Sequence, residues 1–260
     1  GTIGAIAAPP LISWMALQWS WRAAFLIPAV AGVALAIGWW CYYRDPLAPP
    51  DDVAPRPTLP RRQLWRRREL WGIVLARLIS DPVWYFCLFW MPGYFQEQHG
   101  LSLKTAGAIG WIPFLAGNIG ALGSAACSDW LVRRKGDPVR ARTTVLIVLS
   151  CFAPLACVVP FAPTLAVTVA LLSIVALVCI GWFAVLGPLA ADLFPAGNAG
   201  SVWSIAGAFG AVGAMVSNYA IGRISTALGS ERMFLVLGCL HFAGLAVLLF
   251  SLRRRLPRGA

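Results

Sequence analysis

The chain has 260 residues, a hydrophobic fraction of 59%, a charged fraction of 12% and a mean hydropathy of +0.74. A soluble domain of that size cannot bury so much apolar surface and stay monomeric, and the apolar blocks recur at the length of membrane spans. The formal charge of +11 would suit a nucleic-acid partner, but Lys and Arg gather between the apolar blocks as the positive-inside rule describes, so the expected partner is a lipid bilayer and not nucleic acid.

Eight spans are expected, about 1–17, 23–43, 71–95, 103–127, 143–161, 165–191, 200–224 and 233–252. The first starts without Met and already inside an apolar block, with no basic region or cleavage site before it, so a fragment of a longer protein is expected. Gly4 and Ala8 give it a small-xxx-small face, and Pro9-Pro10 predicts a kink. Gln18 to Arg22 is too short for anything but a hairpin turn into the second span, whose far end carries Trp39, Trp40, Tyr42 and Tyr43 as an interfacial belt.

Residues 44–70 form the longest polar stretch, with Asp51-Asp52, several prolines and Arg61, Arg62, Arg66, Arg67 and Arg68. This composition predicts a linker, part extended and part amphipathic at the membrane surface, and the best domain boundary. The expected organisation is two helices over 1–43, the linker, a six-helix half over 71–252 and a tail over 253–260.

The third span, Trp71 to Phe95, organises the rest. It contains Arg77 and Asp81, four residues apart and so on one helix face. Pro82 follows and predicts a break in the helix at that depth. Then comes a dense aromatic run that includes Trp84 and Tyr85. Charges inside a bilayer are costly, roughly 2.5 kcal/mol or more each on insertion scales, and they face a partner or a watery cavity. The pair therefore marks a translocation path, locks helices together, or does both. A proton on Asp81 would release Arg77 to bind a carboxylate through its two-pronged guanidinium.

The fourth span presents glycines for close packing and holds Asn118 at mid-depth, as a helix–helix hydrogen bond or a ligand contact. Ser128 to Arg142 reads as a short basic turn. Asp129 with Arg133 and Arg134 there is a candidate charge-paired latch on the cytoplasmic side, the alternative being topology alone. The fifth span is expected to be a peripheral, lipid-facing helix. The sixth carries Gly181-Trp182 and Gly187-Pro188, which predict bending, with Trp182 a candidate cavity wall. The seventh has a small-residue face including Gly207 and Ala211, with Ser201 and Asn218 among its polar members. His241 in the last span is either a proton carrier or a hydrogen-bonded core residue.

The seven cysteines lie in or beside apolar blocks without Cys-x-x-Cys spacing, and the two histidines are far apart, so neither a disulfide framework nor a metal site nor any cofactor is expected. Segments 44–70, 129–142 and 253–258 carry 16 of the 21 Lys and Arg, which places linker and carboxy terminus in the cytoplasm of an integral membrane protein.

Two helices, a long basic linker and six more helices resemble the major facilitator superfamily from its fifth helix to its twelfth. Ile3–Trp14 (IGAIAAPPLISW), the turn Trp21-Arg22-Ala23-Ala24-Phe25, and Leu70–Phe95 with Arg and an acidic residue four apart before Pro are similar to the anion:cation symporters, close to hexuronate and other sugar-acid permeases. Ser128-Asp129 with Arg133-Arg134-Lys135-Gly136 resembles the superfamily's basic loop, and Asp192-Leu193-Phe194-Pro195 fits as well. Several such relatives carry Asn on the eleventh helix where this chain has Gly207 and Ala211.

The resemblance implies an all-α integral membrane fold, eight helices out of twelve. It also implies proton-coupled symport of an organic anion such as a hexuronate, by alternating access, in the plasma membrane of a bacterium. The candidate pathway residues are then Arg77, Asp81, Trp84, Tyr85, Asn118, Trp182, Ser201 and Asn218, and the four preceding helices would be partners. Two other classes stay open: export of a neutral or lipophilic compound through an aromatic pocket, and a non-transporting membrane subunit or receptor. With no nucleophile–base pair in view, an enzyme is not expected.

Overall fold

A computed structural model describes residues 2–44, 57–228, 231–253 and 255, and these are helical throughout, with no strand among them. The helices are α1 (Thr2–Gln18), α2 (Ala23–Tyr42), the short α3 (Arg61–Trp65), α4 (Arg68–His99), α5 (Leu103–Lys135), α6 (Pro138–Phe152), α7 (Leu165–Leu193), α8 (Ala199–Leu228) and α9 (Glu231–Leu252). Seven of the eight expected spans are long and apolar enough to cross a membrane. The eighth, α1, has 17 residues, at the short end of a crossing helix. Asp51-Asp52 and the prolines around them lie outside the described residues.

Local chemistry sets the helix ends. Gly100 and Gly136, with φ of 62° and 70°, take the left-handed conformation that closes α4 and α5. Asp137 then caps α6 by accepting from the Arg140 amide at 3.1 Å, with Pro138 in the first turn. The expected basic turn is thus mostly helix. Arg133, Arg134 and Lys135 form the last turn of α5, where cations suit the helix dipole, and only Gly136 and Asp137 turn the chain.

One expectation fails. Pro82 does not break the third span, because α4 continues through it for 32 residues. The carbonyl that Pro82 deprives of an amide donor is that of Leu78, and Gly213 of α8 packs directly onto it, so closely that a Cβ there would collide with the oxygen. The fifth span packs through one face only and leaves Ile147, Val148 and Phe152 exposed on the other, as a lipid-facing helix would. α6 buries Ala141, Val145, Leu146, Leu149 and Ser150 and packs along α7. Its chain goes on as a 3-10 segment, Ala153–Phe161, that lies against α9 where Gly238 meets Pro154 and Cys157. Two prolines in that segment withhold amide donors and favour the tighter winding.

Contacts divide the chain into two units, and α4 and α5 contribute to both. The first is Gly1–Arg56 with Pro92–Trp111. In it α1 lies on the start of α5: a Cβ on Gly107 would strike Ser13, and one on Gly110 would sit 3.4 Å from the Pro9 ring. α2 buries no residue, and Trp39 and Trp40 are exposed as an interfacial belt requires.

The second unit is Pro57–Met91 with Ile112–Ala260. Its core joins Ile73 and Val74 of α4, Leu146 of α6, Leu186 and Leu189 of α7, Val202 of α8 and Leu248 of α9. Lipid tails are as apolar as these side chains, so close packing, not exclusion of water, holds the helices together. Glycine supplies that closeness between α5 and α7, where a Cβ on Gly120 would lie 2.5 Å from the Leu177 carbonyl and one on Gly181 2.6 Å from Ser124 Oγ. Asn198, ahead of α8, pins the linker: its Oδ1 accepts from the Leu59 amide at 2.6 Å and its Nδ2 donates to the Leu59 carbonyl at 3.1 Å.

Candidate functional site

Arg77 and Asp81 face α8 from the middle of α4. Both are buried, with 7% and 8% of their surface exposed. Asp81 Oδ2 accepts from Arg77 Nη2 at 2.7 Å and from Nε at 3.0 Å, so the salt bridge forms within one helix. Two aromatic rings flank the guanidinium, Phe183 of α7 and Trp203 of α8, each with its centroid 4.6 Å from Arg77 Cζ. Those rings meet edge-on at 5.1 Å. Cation–π contact of this kind contributes about 0.5–2 kcal/mol per ring, more as water is excluded.

Three glycines, one every third residue of α8, line this contact, two of them beside the pair. A Cβ at Gly207 would lie 3.2 Å from Arg77 Nη1, one at Gly210 would collide with Asp81 Oδ2, and Gly213 covers the Leu78 carbonyl. The small-residue face of the seventh span is therefore what admits a charged pair between two closely packed helices.

One helical turn beyond Asp81, α4 and α8 border a cavity of about 500 Å³, wide open on its outer side, lined by Tyr85, Phe89, Ala211, Ala214, Met215 and Asn218. Tyr85 and Phe89 stack at 6.0 Å with their planes 26° apart. Asn218 Oδ1 accepts from Trp90 Nε1 at 3.0 Å, and its Nδ2 donates to the Ala214 carbonyl at 2.9 Å. A second cavity, of about 480 Å³, lies near the other end of α8 among Arg61, Leu64, Trp65, Asn198, Ser201 and Ser204.

The expected pathway residues thus separate. Arg77, Asp81, Tyr85 and Asn218 share the α4–α8 contact. Ser201 lines the second cavity, about 25 Å along α8 from Asn218 at 1.5 Å per residue. Trp84 sets its ring edge-on to Phe114 at 5.7 Å, and Asn118 Nδ2 donates to the Phe114 carbonyl of its own helix at 2.8 Å. Trp182 is a core residue, 2% exposed, lying edge-on to the buried His241 at 5.6 Å. Its neighbour Phe183, one residue on and about 100° round the helix, is the one that reaches Arg77.

The latch also differs from its expected form. Asp129 pairs with Arg142 of α6 at 3.1 Å, not with Arg133 or Arg134. Arg142 Nη1 donates to Ser128 Oγ at 3.1 Å as well, and its Nε donates to Asp192 at the end of α7. One arginine therefore ties the ends of three helices. The reason is placement: α5 runs on to Lys135 and carries Arg133 and Arg134 into its final turn, where Arg134 lies 4.5 Å over the Trp130 ring. Sequence reasoning missed Phe183, Trp203, Trp90 and the role of Arg142. The legible signal for Trp203 was a lone large aromatic on a helix of small residues.

The family model described as Major Facilitator Superfamily matches residues 1–218. The chain is 34% identical over 196 residues to a probable L-galactonate transporter of Escherichia coli (strain K12), covering 69% of this chain and 43% of that protein. It is 27% identical to the hexuronate transporter of the same organism, covering 46% and 32%, and 22% identical to the hexuronate transporter of Bacillus subtilis (strain 168), covering 95% and 62%. The chain thus spans less than half the length of the first two of these relatives. Its fold matches that of a bacterial homolog to the human lysosomal transporter Spinster, solved in an inward-facing and unoccupied conformation. The TM-score is 0.56 and the identity 14%, over 95% of this chain and 63% of that one.

Proposed function

The chain belongs to the major facilitator superfamily, and from that premise we propose that it forms part of a secondary active transporter that moves an organic anion, a sugar acid, together with a proton. It is a membrane carrier and not an enzyme, in keeping with relatives named as L-galactonate and hexuronate transporters. The observation that carries the proposal is the buried Arg77–Asp81 pair beside the Tyr85–Asn218 cavity. A charged pair in a membrane-spanning helix is expensive to bury, and a transport path is where such a pair is useful.

In the resting arrangement Asp81 occupies Arg77. Protonation of Asp81 removes the negative charge and leaves the guanidinium, held between Phe183 and Trp203, to pair with an incoming carboxylate. Proton and anion then occupy the site together, which is the condition for symport. Alternating access rocks two halves about a site between them, and α4 to α9 supply the walls of one half. The Asp129–Arg142–Asp192 cluster ties helix ends on the side assigned to the cytoplasm and is expected to open and close with that motion.

The proposal is tested by uptake of labelled hexuronate and aldonate into cells producing the full-length protein. Entry that collapses when a protonophore dissipates the proton gradient is the expected result. Entry of neither acid, with neither competing for the other, would remove the sugar-acid reading and leave export of a lipophilic compound as the better account of so apolar a cavity.

A further inference from the structure

We infer that the Tyr85–Asn218 cavity receives the pyranose ring of a cyclic sugar acid, and that Trp90 is the positioning residue that makes it selective for rings over open chains. The inference rests on the transport proposal and narrows its substrate class to the ring-form hexuronates.

The hydrogen-bond inventory of Asn218 carries the argument. A carboxamide has two N–H donors and two acceptor lone pairs. Trp90 Nε1 takes one lone pair at 3.0 Å, and the Ala214 carbonyl takes one N–H at 2.9 Å. One donor and one acceptor remain for a ligand. Trp90 also decides which end of the amide is which: an indole N–H only donates, so the atom facing it has to be the carbonyl oxygen. The remaining donor and acceptor are therefore presented in one fixed orientation, as two neighbouring ring hydroxyls require.

The other wall supplies a second element. Tyr85 and Phe89, one turn apart on α4, stack with planes 26° apart and line the same cavity. A pyranose has a flat face of C–H groups edged by hydroxyls, so the aromatic face takes the C–H side while the Asn218 amide reads the edge. An open-chain aldonate or aldarate has no persistent apolar face to offer those rings, and ordering its chain costs conformational freedom. The cavity, at about 500 Å³, is open on its outer side and has room for one such ring. Asp81 is one turn from Tyr85 along α4, so the carboxylate end of the ring points toward the charged pair.

The test compares uptake of labelled D-galacturonate and D-galactonate, measured side by side at equal membrane abundance of the full-length protein. Galacturonate is expected to have a KM at least tenfold lower than galactonate. Trp90→Phe keeps an aromatic ring and deletes the N–H, and Tyr85→Leu keeps bulk and deletes the shelf; in each the ring-over-chain ratio falls at least fivefold. Equal or better transport of galactonate by the unaltered protein overturns the inference alone. So does an unchanged ratio in both variants. Uptake of neither acid overturns the transport proposal with it. The ranking in the unaltered protein decides the matter even where a variant fails to reach the membrane.

Discussion

At the scale of residues, Arg77 and Asp81 were legible in the sequence because the bilayer makes charge so costly that two opposite charges one turn apart have few uses. Their surroundings were not. Whether Trp182 or Phe183 reaches Arg77 depends on the rotation of α7 about its axis, and one residue of error turns the side chain by about 100°. The same holds for the latch, where the sequence offers five cations between positions 129 and 142 and only the packing of α6 selects Arg142. The pair makes a firm prediction. Arg77→Ala strips the counter-charge from a carboxylate that is 8% exposed. Removing one partner of a buried pair costs about 3–5 kcal/mol, whereas replacing both by apolar residues of similar volume is close to neutral. Thermal melts of the detergent-purified protein are expected to show a large loss of stability for Arg77→Ala and substantial recovery in Arg77→Met/Asp81→Leu, while uptake is abolished in both. Transport by the double variant would show that the pair is only a brace.

At the scale of elements, every expected span is found as a helix, because a run of apolar residues long enough to cross a bilayer has to satisfy its backbone internally. The failure was at Pro82. Proline chemistry considered one residue at a time predicts a break. The helix runs on through Pro82, and α8 packs at Gly213 against the carbonyl that Pro82 leaves without an amide donor. In the fifth span the sequence did not mark which face is packed, and the structure puts Val145, Leu146 and Leu149 inward and Ile147, Val148 and Phe152 outward. Glycine spacing on α8 was read correctly as a packing face, but what it packs against could not be read from it. The three glycines should respond differently to substitution. A Cβ at Gly213 meets rigid backbone at Leu78, whereas a Cβ at Gly207 meets the tip of a long side chain at 3.2 Å. Gly213→Ala is therefore expected to destabilise by about 1–3 kcal/mol, the usual cost of overpacking, and Gly207→Ala by clearly less. Melting temperatures of the two variants, recorded in the same detergent, check the order.

At the scale of the whole molecule, the distribution of charge and the architecture point the same way. With 16 of 21 Lys and Arg in three segments, residues near Pro57 and Arg255 are expected on the cytoplasmic side and a residue near His99 outside. Cysteines introduced at these positions into a background without the native cysteines, and probed with an impermeant thiol reagent on intact cells, should label at 99 and not at 57 or 255. Labelling at 57 would invert the topology and with it the side from which the cavity fills. The class of the molecule was plain from composition, and the family from a few motifs. The ligand was not, because the proposed selectivity rests on how α4 and α8 meet, which no single segment encodes. The central claim is that Asp81 carries the coupled proton while Arg77 holds the anion. It is tested most directly by reconstituting full-length protein with Asp81→Asn into liposomes and measuring accumulation of a sugar acid under an imposed pH gradient beside gradient-free exchange of the same acid. The account predicts that accumulation falls at least tenfold further than exchange, whereas accumulation by Asp81→Asn with an undiminished response to the pH gradient would contradict it.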